Sequence, residues 1–381
     1  MDRVPDSSGV IIQRIAAFGL QGAPDPERTV PGASWPQLRS RIRWERLTGL
    51  AVDSIAAGWL ELTDEQAGDL LAAHREAMVW VLGVERKLLT VAEAFDAEGI
   101  GFAVLKGVSV AHTAYPDPCL RSFGDLDLLV RTADYERTGA LLRSLGHVRQ
   151  RPEPCPGWEV RFGKASVHKH PDDAIEIDLH RTLVLGPFGL WIKPEEMLER
   201  AVPFGLGDRQ IPRLDDTGML LNVALHASLG FRPPRLVPLR DVAQVSGTGS
   251  VDWETLTRWA AEWRLAEVFR HAFTTAATVL EADMSVGDET FTDVRSRRGD
   301  RRALQAYTGS ERASGGTALS TLRAIPGLHR KVAYVRALAF PQREFMQGRY
   351  ATGSKSSYGR RLLLPGRWAW RRLVTARTKE T

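Results

Sequence analysis

The sequence predicts an α+β protein, a small mixed-sheet core with helical regions before and after it. Three observations lead there. Residues 36–98 and about 215–282 carry apolar side chains at three- and four-residue steps, the period of amphipathic helices. Between them lie short apolar or alternating runs of strand length: Phe102-Ala103-Val104-Leu105, Asp125-Leu126-Asp127-Leu128-Leu129-Val130 and Ile175-Glu176-Ile177-Asp178-Leu179-His180. Glycines and prolines punctuate these runs, at Gly99-Ile100-Gly101, Lys106-Gly107 and Pro116-Asp117-Pro118.

Taken in order, residues 1–35 are rich in Pro, Gly and Asp and read as a flexible arm. Helix follows over 36–98, with Thr63-Asp64-Glu65-Gln66 as an N-cap inside it. The α/β core is expected over 99–200. It holds a strand at 102–105, a short helix at 108–115, a strand at 125–130, and a helix at 132–145 closed by Gly146. Further strands are expected at 158–162, 166–170 and 175–180. A helical domain over 201–286, periodic from Asp215-Asp216 onward, precedes a polar linker over 287–318. A helical segment and basic tail complete the chain over 319–381.

The chain has 381 residues, enough for two or three domains, and its composition is that of a soluble globular protein, 43% hydrophobic and 25% charged. No apolar stretch reaches the roughly 20 residues of a membrane span. No basic segment leads into an apolar run at the N-terminus, so no secretory signal is expected. Two cysteines, Cys119 and Cys155, exclude a disulfide framework and fit a reducing cytoplasm, the expected location. The net charge is +5, yet from Lys355 onward eight basic residues face Glu380 alone, leaving the rest near −2. The basicity therefore belongs to the tail. Its mix of Arg with Trp368 and Trp370 suits either an anionic surface, nucleic acid or membrane, or a solvated helix end docking through Trp368 and Leu373.

Asp125 and Asp127 are the most informative residues. One apolar residue separates them on a strand, so both project to one side. Like charges so close are destabilising unless a cation lies between them, and an oxygen-only donor set suits Mg²⁺. The bland alternative is a loop-end pair capping the next turn. His168-Lys169-His170 has no third ligand nearby and reads as surface rather than zinc site. His226, inside an apolar helix, reads as a satisfied core histidine, with a grip on nucleotide or acceptor as the sharper alternative. Arg240-Asp241 reads as local helix charge.

In the order Leu105-Lys106-Gly107, Arg121-Ser122-Phe123-Gly124-Asp125-Leu126-Asp127-Leu128-Leu129-Val130 and Ile177-Asp178-Leu179-His180, the middle region resembles a polymerase-β-type nucleotidyltransferase. More narrowly it resembles the bacterial family of uncharacterised nucleotidyltransferases, most strongly over about 99–182. The resemblance implies transfer of a nucleoside monophosphate from a nucleoside triphosphate to an acceptor, with two Mg²⁺ ions. The acceptor would be a peptide or natural product, or a tRNA or protein as in toxin-type relatives. Asp125 and Asp127 would hold the nucleotide-bound metal. Asp178 would complete the metal site and help to deprotonate the acceptor; the alternatives are that Glu176 or His180 on the same strand face shares this role, or that Asp178 simply pairs with an Arg. Gly107 would let backbone N–H groups approach the triphosphate. The superfamily's usual Gly-Ser pair is here Lys106-Gly107-Val108-Ser109, so Ser109 is displaced by one residue as a phosphate ligand. Lys106 and Arg121 are phosphate contacts or structural ion pairs. The reading from another class is a non-catalytic nucleotide- or partner-binding module on a degenerate transferase fold.

Overall fold

The computed structural model describes residues 7–23, 34–309 and 314–349. Helices α1 (Ser7–Ala17), α2 (Trp35–Trp44) and α3 (Thr48–Ala56) precede the long α4 (Asp64–Ala97). At the head of α4, Thr63 accepts from the Gln66 N–H and the Gln66 side chain accepts from the Thr63 N–H, a reciprocal cap. Along α4, Leu70, Val81, Val84, Leu88, Val91 and Phe95 form a buried stripe. The core continues with β1 (Phe102–Val104), α5 (Val108–Ala114), β2 (Asp125–Val130), α6 (Tyr135–Ser144), β3 (Val148–Arg149), α7 (Trp158–Phe162), β4 (Ala165–Lys169) and β5 (Glu176–His180). Then come α8 (Pro187–Trp191), α9 (Pro194–Leu198), β6 (Val202–Leu206) and β7 (Arg209–Arg213). Helices α10 (Asp216–Leu229), α11 (Leu236–Ser246), α12 (Trp253–Glu262) and α13 (Ala266–Leu280) form the C-terminal bundle. They are followed by α14 (Ser285–Thr292), α15 (Arg298–Thr308), α16 (Ser314–Ala324), α17 (Leu328–Ala339) and α18 (Arg343–Arg349).

The α+β expectation is borne out: among the described residues, seven strands form one mixed sheet ordered β3-β4-β5-β2-β1-β7-β6. β2 lies in the middle, antiparallel to β1 and parallel to β5. Alternation along β2 sends Leu126, Leu128 and Val130 into the cluster that α4 covers, with Val84, Leu88 and Phe95. Leu129 faces the other way, with Ala103 and Leu105, into the cluster built by α10, α11 and α13. Asp125 and Asp127 share that second face. The sheet therefore presents its two acids toward the helical bundle, and the site lies between them.

Four local expectations are corrected. Residues 158–162, expected as a strand, are the helix α7, which places Trp158 and Phe162 one turn apart against Tyr334. Residues 202–213, expected within a helical domain, are the hairpin β6–β7. Pro203 and Pro212 hid it by breaking the strand pattern, and they face each other on this outer pair, where a missing N–H matters least. In the arm expected over 1–35, Ser7–Ala17 is helical and buries Ile11, Ile12 and Ile15. In the linker expected over 287–318, α15 buries Ala303, Leu304 and Tyr307 and its Asp300 pairs with Arg264 at 2.5 Å. The tail from Lys355 lies outside the described residues. Among the described residues, no helix is long and apolar enough to cross a membrane.

His168 is not a surface residue. It is 1% exposed, and its Nε2 meets the Ser166 hydroxyl at 2.9 Å. Burial and then Arg149 press its pKa down to about 4, and burial and then Lys87 do the same to His147. Both folded values lie below the unfolded 6.5, so the stabilisation is complete above pH 6.5 and is lost as pH falls toward 4. Together they should remove on the order of a few kcal/mol of stability across that window. NMR titration of the two imidazoles should show midpoints near 4. The acid-side slope of the urea midpoint should flatten in His168→Gln, and an imidazole midpoint near 6.5 would refute the expectation.

Candidate active site

The centre of the site is the β2–β5 pair. Its parallel register sets Asp127 beside Asp178 and Leu129 beside His180, and neighbouring residues in register project to the same face. Ligand atoms of Asp127, Asp178 and His180 lie within 4.8 Å of one another. Asp127 is 2% exposed. Its Oδ1 lies 2.8 Å from His180 Nε2, and the Lys106 ammonium pairs with Oδ2. His180 is held from its other side, Nδ1 donating to the Thr182 carbonyl at 3.1 Å.

The charges divide by surroundings. Burial alone raises the Asp127 pKa, but Lys106 and His180 outweigh it and hold the carboxyl well below the usual range. Burial alone lowers the Lys106 pKa, and the carboxylates of Asp127 and Asp125 reverse this, leaving it raised. Asp178 is pushed up, by burial first and by Asp127 second. Its Oδ1 is buried without a hydrogen-bond partner among the described residues. A buried carboxylate oxygen left open beside a second carboxylate fits a bound cation, and the oxygen donors suit Mg²⁺.

Asp125 stands apart from that trio. Its side chain is 38% exposed, 3.9 Å from the Arg46 guanidinium. With Asp127 it lines a small cleft open to solvent. Gly107 lines the same cleft at the head of α5 with φ 73°, a conformation that favours glycine. Lys106 is there too.

Two expected phosphate contacts have other engagements. Ser109 is fully buried, and its hydroxyl donates to the Leu105 carbonyl at 2.5 Å, beside Met219 Sδ at 4.0 Å. It sits one residue too far into α5 to face the cleft, and the expectation for it is corrected. Arg121 reaches the cleft wall, but its guanidinium forms a fork on Asp241, with Nη2–Oδ2 2.8 Å and Nε–Oδ1 3.1 Å, and donates from Nη1 to the Ser122 carbonyl. Asp241 also accepts from Tyr115 at 2.9 Å. It is therefore the anchor of a buried network, not a local helix charge, while Arg240 donates to the Ala16 and Phe18 carbonyls.

Residues that the sequence did not single out complete the site. Lys164, immediately before β4, is close enough to Asp127 and Asp178 to act on both charges, and burial lowers its own pKa. Glu45, Arg46, Phe231 and Arg235 line the cleft from the end of α2 and the α10–α11 connection. His226 lines it as well. No hydrogen bond engages its ring among the described residues, and burial, then Lys106, holds its pKa well below normal, so the imidazole is neutral. Of these, His226 alone stands out in the sequence, with a grip on nucleotide or acceptor as the sharper of its two readings. Glu45 meets the Leu236 N–H from 191 residues away in the chain.

The fold and site together define a mixed-sheet α+β protein with paired carboxylates and a ring of cations in one cleft. Residues 31–281 match the family described as uncharacterised nucleotidyltransferase, and the chain belongs to that family. Among solved structures, it is similar to an antigenic nucleotidyltransferase-like protein from Paracoccidioides brasiliensis, at 17% identity and a TM-score of 0.33, over 52% of this chain and 93% of that one. No curated protein matches the chain.

Proposed function

We propose that the protein is a Mg²⁺-dependent nucleotidyltransferase that moves a nucleoside monophosphate from a nucleoside triphosphate to an acceptor hydroxyl or phosphate. The observation that carries this reading is the open, buried Asp178 Oδ1 within reach of Asp127. Bound Mg²⁺ supplies charge neutralisation at the attacking and leaving oxygens. Asp125, Asp127 and Asp178 are the residues that would hold it. The acceptor oxygen bonds to the α-phosphorus, the bond to the β-phosphate oxygen breaks, and pyrophosphate departs. Asp178, whose raised pKa reflects its buried and anionic surroundings, takes the proton from an acceptor hydroxyl. Lys106 and Arg46 bind triphosphate oxygens, and Gly107 allows close backbone approach. Arg121 holds the wall in place through Asp241. The acceptor is a peptide or natural product, or a tRNA or protein, and the basic tail would favour an anionic one.

One observation favours a non-catalytic binding module: Lys106 and His180 already engage both oxygens of Asp127. Incubation with each α-labelled triphosphate, Mg²⁺ and candidate acceptors separates the readings. Label should move to the acceptor, stop with EDTA, and return on Mg²⁺ addition. Asp127→Asn should abolish transfer. Triphosphate binding by calorimetry that is indifferent to Mg²⁺ would sink the enzyme reading.

A further inference from the structure

The mouth of the cleft is aromatic. Phe231 is 41% exposed and Trp44 is 67% exposed. Both pack against one guanidinium, that of Arg235, at 4.6 Å from the Trp44 centroid and 5.2 Å from that of Phe231. Glu45, 7% exposed, fixes the arrangement, standing 3.8 Å from Arg235 and accepting the Leu236 N–H at 3.0 Å. His226 meets Phe231 edge-on at 5.6 Å. Phe231 and Arg235 line the cleft that holds Lys106, Asp125 and Asp127, and Trp44, packed on the Arg235 guanidinium, extends the step of two rings and a planar cation beyond that lining.

The chemistry of the lining is equally informative. Among the described residues it contains no Ser, Thr, Asn, Gln or Tyr, the neutral side chains that read the edge of a base by hydrogen bonds. Its charged side chains have partners: Glu45 with Arg235, Arg46 with Asp125, Arg121 with Asp241, Lys106 with Asp127. The His226 ring is the neutral polar group left over. A single imidazole offers one donor and one acceptor, and either tautomer can meet an edge of any base.

We propose that the Trp44–Arg235–Phe231 step is the base-stacking subsite of the cleft, and that the protein takes all four nucleoside triphosphates, purines more tightly than pyrimidines. This rests on the transferase reading above and adds to it the element that holds the base. Stacking is tolerant of sequence because every base has a π-face, and it grows with ring area. Phosphates and metal fix the other end of the nucleotide, so the step sets affinity rather than identity.

Calorimetry on the full chain with Mg²⁺ and the α,β-methylene analogues of ATP, GTP, CTP and UTP tests this, with inorganic tripolyphosphate as the baseless probe. The four analogues should bind within about 10-fold of one another, purines ahead, and all more tightly than tripolyphosphate. Phe231→Ala and Trp44→Ala should each weaken every analogue by about 5-fold or more and leave tripolyphosphate unchanged. Phe231→Trp should restore binding where Phe231→Leu does not. Both side chains are exposed, so thermal melts should show the variants folded. A preference of more than about 100-fold for one base, beyond what stacking supplies, overturns the proposal. So do nucleotides that bind no better than tripolyphosphate, an outcome that leaves the transferase reading standing. If neither probe binds the wild type, both readings fall.

Discussion

Asp178→Asn should lower nucleotidyl transfer by on the order of a thousand-fold, the scale of removing one preorganised electrostatic partner from a transition state, without lowering stability. The two effects have one origin. The Asp178 carboxylate is buried beside Asp127, and both circumstances disfavour its charge. Asn keeps the shape, removes the like-charge contact, and sacrifices no hydrogen bond at Oδ1, which has none among the described residues. A melting temperature in metal-free buffer equal to or above wild type is therefore expected, the trade-off of a site strained for function. Asp127→Asn should behave in the opposite way. It takes the charge from a carboxylate paired with Lys106 and His180, all three largely buried, and breaking such a pair costs about 3–5 kcal/mol. Activity assays with melts of both variants check the contrast. A destabilised Asp178→Asn, or one that still transfers nucleotide, would remove the proposed role.

The second large effect lies away from the acids. Asp241→Asn should destabilise the fold by about 3–5 kcal/mol, a sizeable part of the 5–15 kcal/mol that holds a domain together. Asp241 is fully buried and receives the Arg121 fork and the Tyr115 hydroxyl. Without the anion, a buried guanidinium lies unpaired in the seam between the sheet and α11. Arg121→Lys should not be a mild change, because an ammonium cannot make the fork. The pair Arg121→Met with Asp241→Leu should cost less than the two single changes summed, since it leaves no orphaned charge. Urea midpoints across the double-mutant cycle read this directly, and strict additivity would show the pair to be energetically inert. Arg121 lies four residues before Asp125, so loosened variants should also bind triphosphate more weakly.

Much of the fold was legible because its signals are local. The alternation in Ile175–His180 gave β5, the Thr63–Gln66 cap falls at the head of α4, and the apolar run after Asp125 gave the strand at the sheet's centre. Local signals also misled. Trp158 and Phe162 read as strand residues, yet four-residue spacing serves a helix when Tyr334 covers one face. Pro203 and Pro212 concealed a hairpin that is tolerable only on the outer pair of the sheet, a fact of tertiary position. Arg240-Asp241 looked like ordinary helix polarity, and nothing local distinguishes a solvated pair from a buried anchor.

By itself the sequence determined the backbone of the candidate site: two acids at alternate positions of one strand, a third on another, and a glycine turn ahead of a helix. Strand periodicity alone puts Asp125 and Asp127 on one face, and neighbouring residues suffice to state it. Tertiary structure decided which oxygens are free and which are engaged. Parallel pairing of β2 with β5 set Asp178 beside Asp127 and brought His180 onto its carboxylate. Packing of α2 and the α10–α11 connection against the sheet brought Arg46, Phe231 and Arg235 to the cleft. Those contacts join residues far apart in the chain, and their charge states follow from burial and neighbours. Neither quantity exists until the chain has folded.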